Sequence, residues 1–103
     1  MEVCVNRSDG VVYVLLRGEI DEHNAVEARR KADRIADESV GSKRAVFDLK
    51  EVSFMDSTAI GFLIGRYKKL KEYNKPIFIT NPSTQAEKIF RLSGLYQIMP
   101  KIS

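Results

Sequence analysis

Short apolar segments alternate along this chain with longer segments of helical periodicity, and this alternation restricts the fold more than any other feature. Apolar runs at residues 2–6, 11–17, 45–49 and 76–80 have the length and composition of strands. After the second of these runs, apolar residues recur every three or four positions, as in amphipathic helices. Strands that alternate with helices favour a largely parallel sheet joined by right-handed crossovers.

The predicted order of elements is β-β-α-β-α-β-α, and the first two strands form a hairpin. Ser8-Asp-Gly10 joins them, and Asp-Gly readily adopts the positive φ angles of a tight turn. The nearly unbroken apolar run Val11–Leu16 predicts a strand covered on both faces. The tail Gln97–Ile102 is a candidate for a short last strand. We therefore expect a single α/β domain over residues 1–103, with a mostly parallel, mixed sheet of four to five strands, an N-terminal β-hairpin and three main helices.

Residues that cap helices stand at the predicted starts of the first and last helices. Asn24, with Glu27 three residues later, resembles a capping box, and Asp21 is a competing cap. Thr84 and Glu87 form the same pattern before the last helix.

Charge and composition argue against several classes of protein. The 17 Lys and Arg are scattered among 14 Asp and Glu, and a net charge of +3 is too weak to indicate nucleic-acid binding. The basic cluster Arg66–Lys71 is typical of the solvated C-terminal end of a helix. No apolar run approaches the roughly 20 residues of a membrane span, no signal peptide is evident, and Cys4 has no disulfide partner. We expect a cytoplasmic protein that binds neither nucleic acid nor a membrane.

Residue sets for catalysis or metal binding are scarce. One Cys and one His do not build a zinc site, and the carboxylates lack ligand spacing, so we expect no metal and no cofactor. Asp48 or Asp56 at a strand end resembles the phosphoacceptor of a receiver domain, but the acidic pair needed for Mg²⁺ is absent after the first strands. A hydrolase using Ser57 and His23 lacks a Gly-x-Ser-x-Gly elbow. We expect a protein that is not an enzyme.

The junction at residues 54–67 is the most informative segment of the chain. Asp56, Ser57 and Thr58 stand where a strand and a short loop give way to a helical pattern, so a hydroxyl lies at a helix N-terminus. There it acts either as a cap or as a switch. Asp56 is an equally good cap, which leaves Ser57 and Thr58 available for another role.

The helix that follows Ser57 carries two glycines. Gly61 and Gly65 are four residues apart, so they share one face and expose the backbone there. This face packs closely on another element or forms a docking strip. Phe62 lies off the apolar stripe that contains Ile60, so it either faces outward beside Ser57 or belongs to a wide core-facing side of the helix; the partner surface given below takes it as facing outward.

Phe54-Met-Asp-Ser-Thr-Ala-Ile-Gly61, followed by Gly65-Arg-Tyr-Lys68, resembles the signature of the STAS-domain anti-sigma factor antagonists. Gly18-Glu-Ile-Asp21 is similar to their strand-to-helix turn, and Asn81-Pro-Ser83 falls at a later loop of that family. The order of elements agrees across essentially the whole chain. Ala59 departs from the family pattern, which has Gly at this position.

The resemblance implies a STAS fold and a partner-switching cycle. The unphosphorylated protein would bind an anti-sigma factor that is also a serine kinase, and would thereby release the sigma factor. The kinase, with ATP and Mg²⁺ in its own site, would phosphorylate Ser57 and break the complex, and a PP2C-type phosphatase would reset it. The implied partner surface contains Asp21, His23, Asn24, Asp56, Ser57, Thr58, Ile60, Gly61 and Phe62. Because the family also contains sensors and scaffolds, a ligand sensor or signalling scaffold without phosphorylation is the alternative.

Overall fold

The chain begins with the predicted hairpin. In the computed structural model, which describes residues 1–102, strands β1 (Glu2–Ser8) and β2 (Val11–Ile20) pair antiparallel. Asp9 and Gly10 close the turn with φ angles of 52° and 79°, the conformation that suits a two-residue hairpin loop. β2 continues past Gly18, where we expected it to end, as far as Ile20.

The rest of the chain alternates helices and strands in the predicted order. After β2 come α1 (Ala25–Glu38), β3 (Arg44–Met55), α2 (Thr58–Lys71), β4 (Ile77–Thr80), α3 (Thr84–Ser93) and a short 3₁₀ turn (Leu95–Gln97). β3 is much longer than the apolar run that predicted it, because pairing with β2 continues through its polar second half.

The sheet is mixed and mostly parallel, as predicted, with the strand order β1-β2-β3-β4. β2 pairs parallel with β3, and β3 pairs parallel with β4. The predicted last strand is reduced to a single bridge, in which Lys101 pairs with Ile79. Within residues 1–102 the sheet therefore has four strands, the lower of the two predicted numbers.

The helices cover one face of this sheet. β2, β3 and β4 are neighbours in chain order, so right-handed crossovers place α1 and α2 on the same side. On that side Val14, Leu16 and Phe47 are almost inaccessible to solvent. Tyr13 points to the other face and is 39% exposed. The prediction that β2 is covered on both faces is therefore wrong, since its residues alternate between a covered and an open face.

The predicted capping boxes of α1 and α3 are both wrong. The Asn24 side chain accepts no hydrogen bond from the α1 backbone, and the Asp21 carboxylate instead accepts the N–H groups of His23 and Asn24. At α3 the cap is Ser83, one residue before Thr84, because its hydroxyl accepts the N–H of Ala86 at 3.1 Å. These shifts change which side chains hold the helix starts but leave the helices where the pattern predicted them.

Two ion pairs join α1 to α2. Arg66 Nε lies 2.8 Å from Asp33 Oδ1, and Lys69 Nζ lies 3.1 Å from Asp37 Oδ1. Arg66 is only 5% exposed, and its guanidinium also lies over the ring of Phe62. Burial lowers the pKa of Arg66, and the charge of Asp33 opposes that shift. The predicted solvated basic cluster therefore begins with a buried residue.

Candidate functional site

The candidate site lies where β3 ends and α2 begins. Asp56 Oδ1 accepts the backbone N–H of Thr58 at 2.8 Å, and the Asp56 carbonyl accepts the N–H of Ala59. These bonds satisfy two of the N–H groups that a helix start leaves without partners. The sequence-based prediction that Asp56 is a cap at this junction is confirmed.

Ser57 is exposed and its side chain makes no capping hydrogen bond. Its backbone is already helical, with φ −63° and ψ −17°, and its carbonyl accepts the N–H of Ile60. The hydroxyl is therefore presented to solvent at the positive end of the helix dipole. Thr58, the next residue, is partly buried.

A second turn stands beside this junction. The β2–β3 register pairs Ile20 with Met55, so Asp21 and Asp56 leave neighbouring strands at the same edge of the sheet. The Asn24 side chain holds this turn after β2, because it donates to the Glu19 carbonyl and accepts the N–H of Asp21. Asp21 and Asn24 are partly buried.

The start of α2 leaves part of the helix backbone uncovered by side chains. Gly61 is exposed, and a Cβ built at Gly61 or at Gly65 would meet no heavy atom within 4 Å. Ile60, partly buried, lies next to it in sequence. The helix backbone is therefore open to solvent within one turn of Ser57.

Phe62 does not belong to this surface. It is 1% exposed and packs in the core, so the prediction that it faces outward is wrong. Ala59 is also fully buried. Its methyl group, the departure from the family pattern, points into the core instead of toward a partner.

Two exposed apolar residues near the junction were not predicted. The ion pairs align Asp33 with Arg66 in parallel helices, so Val26, seven residues before Asp33, is level with Ala59, seven before Arg66. Val26 is 53% exposed, and Phe54, which precedes the junction on β3, is 43% exposed. The exposure of Phe54 could have been predicted from its alternation with buried Met55 along the strand. The position of Val26 could not, because it depends on how α1 is aligned with α2.

A catalytic role for His23 finds little support in the geometry. Its side chain is 87% exposed. Among residues 1–102 the one carboxylate paired with its ring is that of Asp21, 3.9 Å away, which already accepts the backbone N–H of His23. Among residues 1–102, no three His, Cys, Asp or Glu side chains are grouped closely enough to hold a metal ion. No helix in that range is long and apolar enough to cross a membrane.

Comparison with known proteins assigns the chain to a family. A model of the STAS domain matches residues 2–103. The chain belongs to the STAS domain family. The anti-sigma F factor antagonist of Paenibacillus polymyxa is 29% identical over 100 residues, which cover 97% of this chain and 85% of the relative. The anti-sigma F factor antagonist of Lysinibacillus sphaericus is 31% identical over 84 residues, or 82% of this chain and 71% of the relative.

Solved structures agree with the family assignment. The anti-sigma factor antagonist SpoIIAA in its unphosphorylated form has a TM-score of 0.79 and 25% identity, covering 99% of this chain and 89% of that one. The Bacillus cell fate determinant SpoIIAA in its phosphorylated form has a TM-score of 0.71, also at 25% identity, covering 99% of this chain and 92% of that one. The predicted fold class and the predicted resemblance are both confirmed.

Proposed function

We propose that this protein is an anti-sigma factor antagonist whose binding is controlled by phosphorylation of Ser57. In the unphosphorylated form it binds an anti-sigma factor that is also a serine kinase, and the sigma factor is released. The observation that carries the proposal is the division of labour at the junction: Asp56 caps α2, and the exposed Ser57 hydroxyl makes no capping bond. The names of the relatives support the partner class.

The proposed partner surface joins the two turns at the carboxyl ends of β2 and β3. It contains the residues of the partner surface predicted from sequence other than Phe62, together with exposed Val26. Because Gly61 has no side chain, a partner approaches the α2 backbone closely at this position. Apolar groups at the centre and carboxylates at the rim are a common arrangement in specific interfaces. The residues of this surface are Asp21, His23, Asn24, Val26, Asp56, Ser57, Thr58, Ile60 and Gly61.

Phosphorylation of Ser57 acts on binding without unfolding the domain. A phosphoryl group adds about −1.5 to −2 charges, which the N-terminus of α2 tolerates because its dipole is positive there. The same charge beside Asp56 makes the surface costly to desolvate and repels an interface built around a neutral hydroxyl. Each loss of about 1.4 kcal/mol lowers affinity tenfold, so a loss of a few kcal/mol switches the complex off.

The rest of the cycle lies outside this chain. The kinase supplies ATP and Mg²⁺ from its own site, and a PP2C-type phosphatase removes the phosphate. The protein is a substrate and a binding partner in this cycle, not a catalyst.

The test is phosphorylation by the cognate anti-sigma kinase, with the product mapped by mass spectrometry. We expect one phosphate, on Ser57, and the same phosphate in the control variant Thr58→Ala. Calorimetry should show that Ser57→Ala binds the kinase and that Ser57→Asp binds roughly 100-fold more weakly. Phosphate at another residue, or unchanged binding by Ser57→Asp, contradicts the proposal. Ser57 inert to the kinase in a protein that copurifies with a small ligand supports the sensor alternative instead.

A further inference from the structure

The outer edge of β1 carries a row of backbone groups without partners in this chain. Ser8 and Val11 flank the two-residue turn, so they form a hydrogen-bonded pair of the hairpin. Hydrogen-bonding direction alternates along a strand, so Val3, Val5 and Arg7 direct their N–H and C=O groups away from β2. None of these groups bonds elsewhere within residues 1–102.

This edge lacks the features that usually protect a strand from pairing with another chain. β1 has seven residues, pairs with β2 without a bulge, and contains no proline. Its charges, Glu2 and Arg7, stand near its ends, and Val3–Asn6 between them is uncharged. The opposite edge is different, because the tail covers β4: Ile79 donates to Pro100 and accepts from Ile102.

We infer that β1 pairs antiparallel with β1 of a second copy of this chain, forming a two-fold symmetric dimer with a continuous eight-stranded sheet. A two-fold axis through Val5 opposes Val5 to its own copy and Val3 to Arg7 of the other copy. All outward-facing groups of the three residues are then paired, and no like charges stand opposite each other. Such an interface is self-complementary, as closed two-fold symmetry requires.

Charges on α1 complement this register. The Arg7 side chain donates to the Ser39 hydroxyl at 2.8 Å, which places the end of α1 over the end of β1. Two strand residues span about as much length as four helix residues, so Ile35 lies roughly level with Val5 and Lys31 with Val3. The two-fold axis then brings Lys31 of one copy near Glu38 of the other.

Lys31 and Glu38 are available for this contact. Both are exposed, and neither forms an ion pair within residues 1–102. They lie on the flank of α1 opposite Asp33 and Asp37, which bind α2. Ser57 follows β3, two strands from this edge, so the dimer leaves both Ser57 sites open.

The first test is molar mass by light scattering across a range of protein concentrations. We expect the mass to rise with concentration toward twice the 11.7 kDa of the chain. Val5→Pro removes one outward N–H, which an edge strand tolerates, and should keep the protein monomeric with an unchanged fold by circular dichroism. Val5→Thr, which keeps the N–H and the branched shape, is the matched control and should dimerise. A monomeric wild type at every concentration up to roughly 1 mM overturns the inference.

Two further variants test the register. Cys4 stands opposite Asn6 of the other copy, so Asn6→Cys should form dimers with interchain disulfides under mild oxidation, whereas wild type should not. Lys31→Glu should weaken dimerisation at low salt, and the double variant Lys31→Glu with Glu38→Lys should restore it. Dimers that form equally in Val5→Pro, or that fail to cross-link through Asn6→Cys, rule out this pairing.

Discussion

At the scale of single residues, the junction assigns the cap of α2 to the Asp56 side chain and leaves the Ser57 hydroxyl outside it. Asp56 holds the start of α2, and Ser57 contributes only its backbone to the helix. Because Asp56 supplies the cap, the proposed phosphorylation of Ser57 would alter the surface and leave the bond from the Thr58 N–H to Asp56 in place.

These separate roles predict different losses of stability for alanine substitutions at Asp56 and at Ser57. Asp56→Ala removes the acceptor of the Thr58 N–H and should lower the free energy of unfolding by about 1 kcal/mol. Ser57→Ala removes a side chain without a capping bond and should change it by less than about 0.5 kcal/mol. Urea denaturation of both variants at neutral pH measures the difference. An equal loss in the two variants would show that Ser57 shares the capping role.

The roles at the junction were predictable from sequence only as far as local chemistry decides them. Asp56 was identified because a carboxylate before a helix has few other local uses. Phe62 was placed wrongly because α2 is apolar over most of its circumference, so the sequence does not define which side faces the sheet. The buried residues of α2 include Arg66, whose burial depends on Asp33 from another helix.

At the scale of secondary-structure elements, two ion pairs join α1 and α2, and the pair of Arg66 with Asp33 is the more buried of the two. Arg66 Nε faces Asp33, while its Nη1 has no hydrogen-bond partner within residues 1–102. A buried guanidinium is tolerated only beside an opposite charge, because desolvation penalises the charged form. The pair therefore fixes the helix alignment that brings Val26 beside the first turn of α2.

Removing the carboxylate of this pair should cost more than removing both charges. Asp33→Asn leaves Arg66 buried without compensation and should lower the free energy of unfolding by about 2 kcal/mol. This is less than the 3–5 kcal/mol of fully enclosed pairs, because the Asp33 side chain is 33% exposed. The double variant Asp33→Asn with Arg66→Met should recover at least half of that loss. Thermal and urea unfolding of the single and double variants test this, and additive losses would argue against coupling.

The exposed Gly61 of α2 predicts a conflict between stability and binding. Gly61→Ala places a methyl group where no heavy atom lies within 4 Å, so it should raise the free energy of unfolding by up to about 1 kcal/mol. The same methyl stands on the proposed partner surface and should weaken kinase binding about tenfold. Gly65→Ala, one turn further along α2, is the control, with a similar gain in stability and a smaller loss of affinity. A stabilised Gly61→Ala with full affinity would exclude Gly61 from the interface.

At the scale of the whole molecule, the sequence predicted the topology better than the extent of its elements. The order of strands and helices follows from periodicity, which the chain shows clearly. The second half of β3, with Lys50, Glu51 and Ser53, has no apolar run and is a strand because β2 pairs with it. The open face of the sheet was also missed, because Val11–Leu16 is equally apolar on both faces. Both features depend on distant parts of the chain.

The segment that follows α3 contacts this helix through Tyr96 and Lys101. The ring of Tyr96 packs edge-on against Phe90 at 5.7 Å, and Lys101 Nζ lies 3.1 Å from Glu87 Oε2. Burial, with a contribution from Glu87, raises the pKa of Tyr96 to about 12. The folded protein therefore keeps this phenol protonated at a pH where the unfolded chain releases the proton.

This raised pKa predicts how stability falls in alkaline solution. The contribution of Tyr96 is fully present below its ordinary pKa of 10.0 and is lost as pH rises from there toward about 12. In the variant Tyr96→Phe the side chain cannot ionise. Between pH 10 and about 12 the free energy of unfolding should therefore fall less in this variant than in wild type, by about 1–2 kcal/mol. Urea denaturation in steps of pH measures both slopes. If Tyr96→Phe also keeps the wild-type slope, ionisation of Tyr96 does not contribute to the alkaline loss of stability.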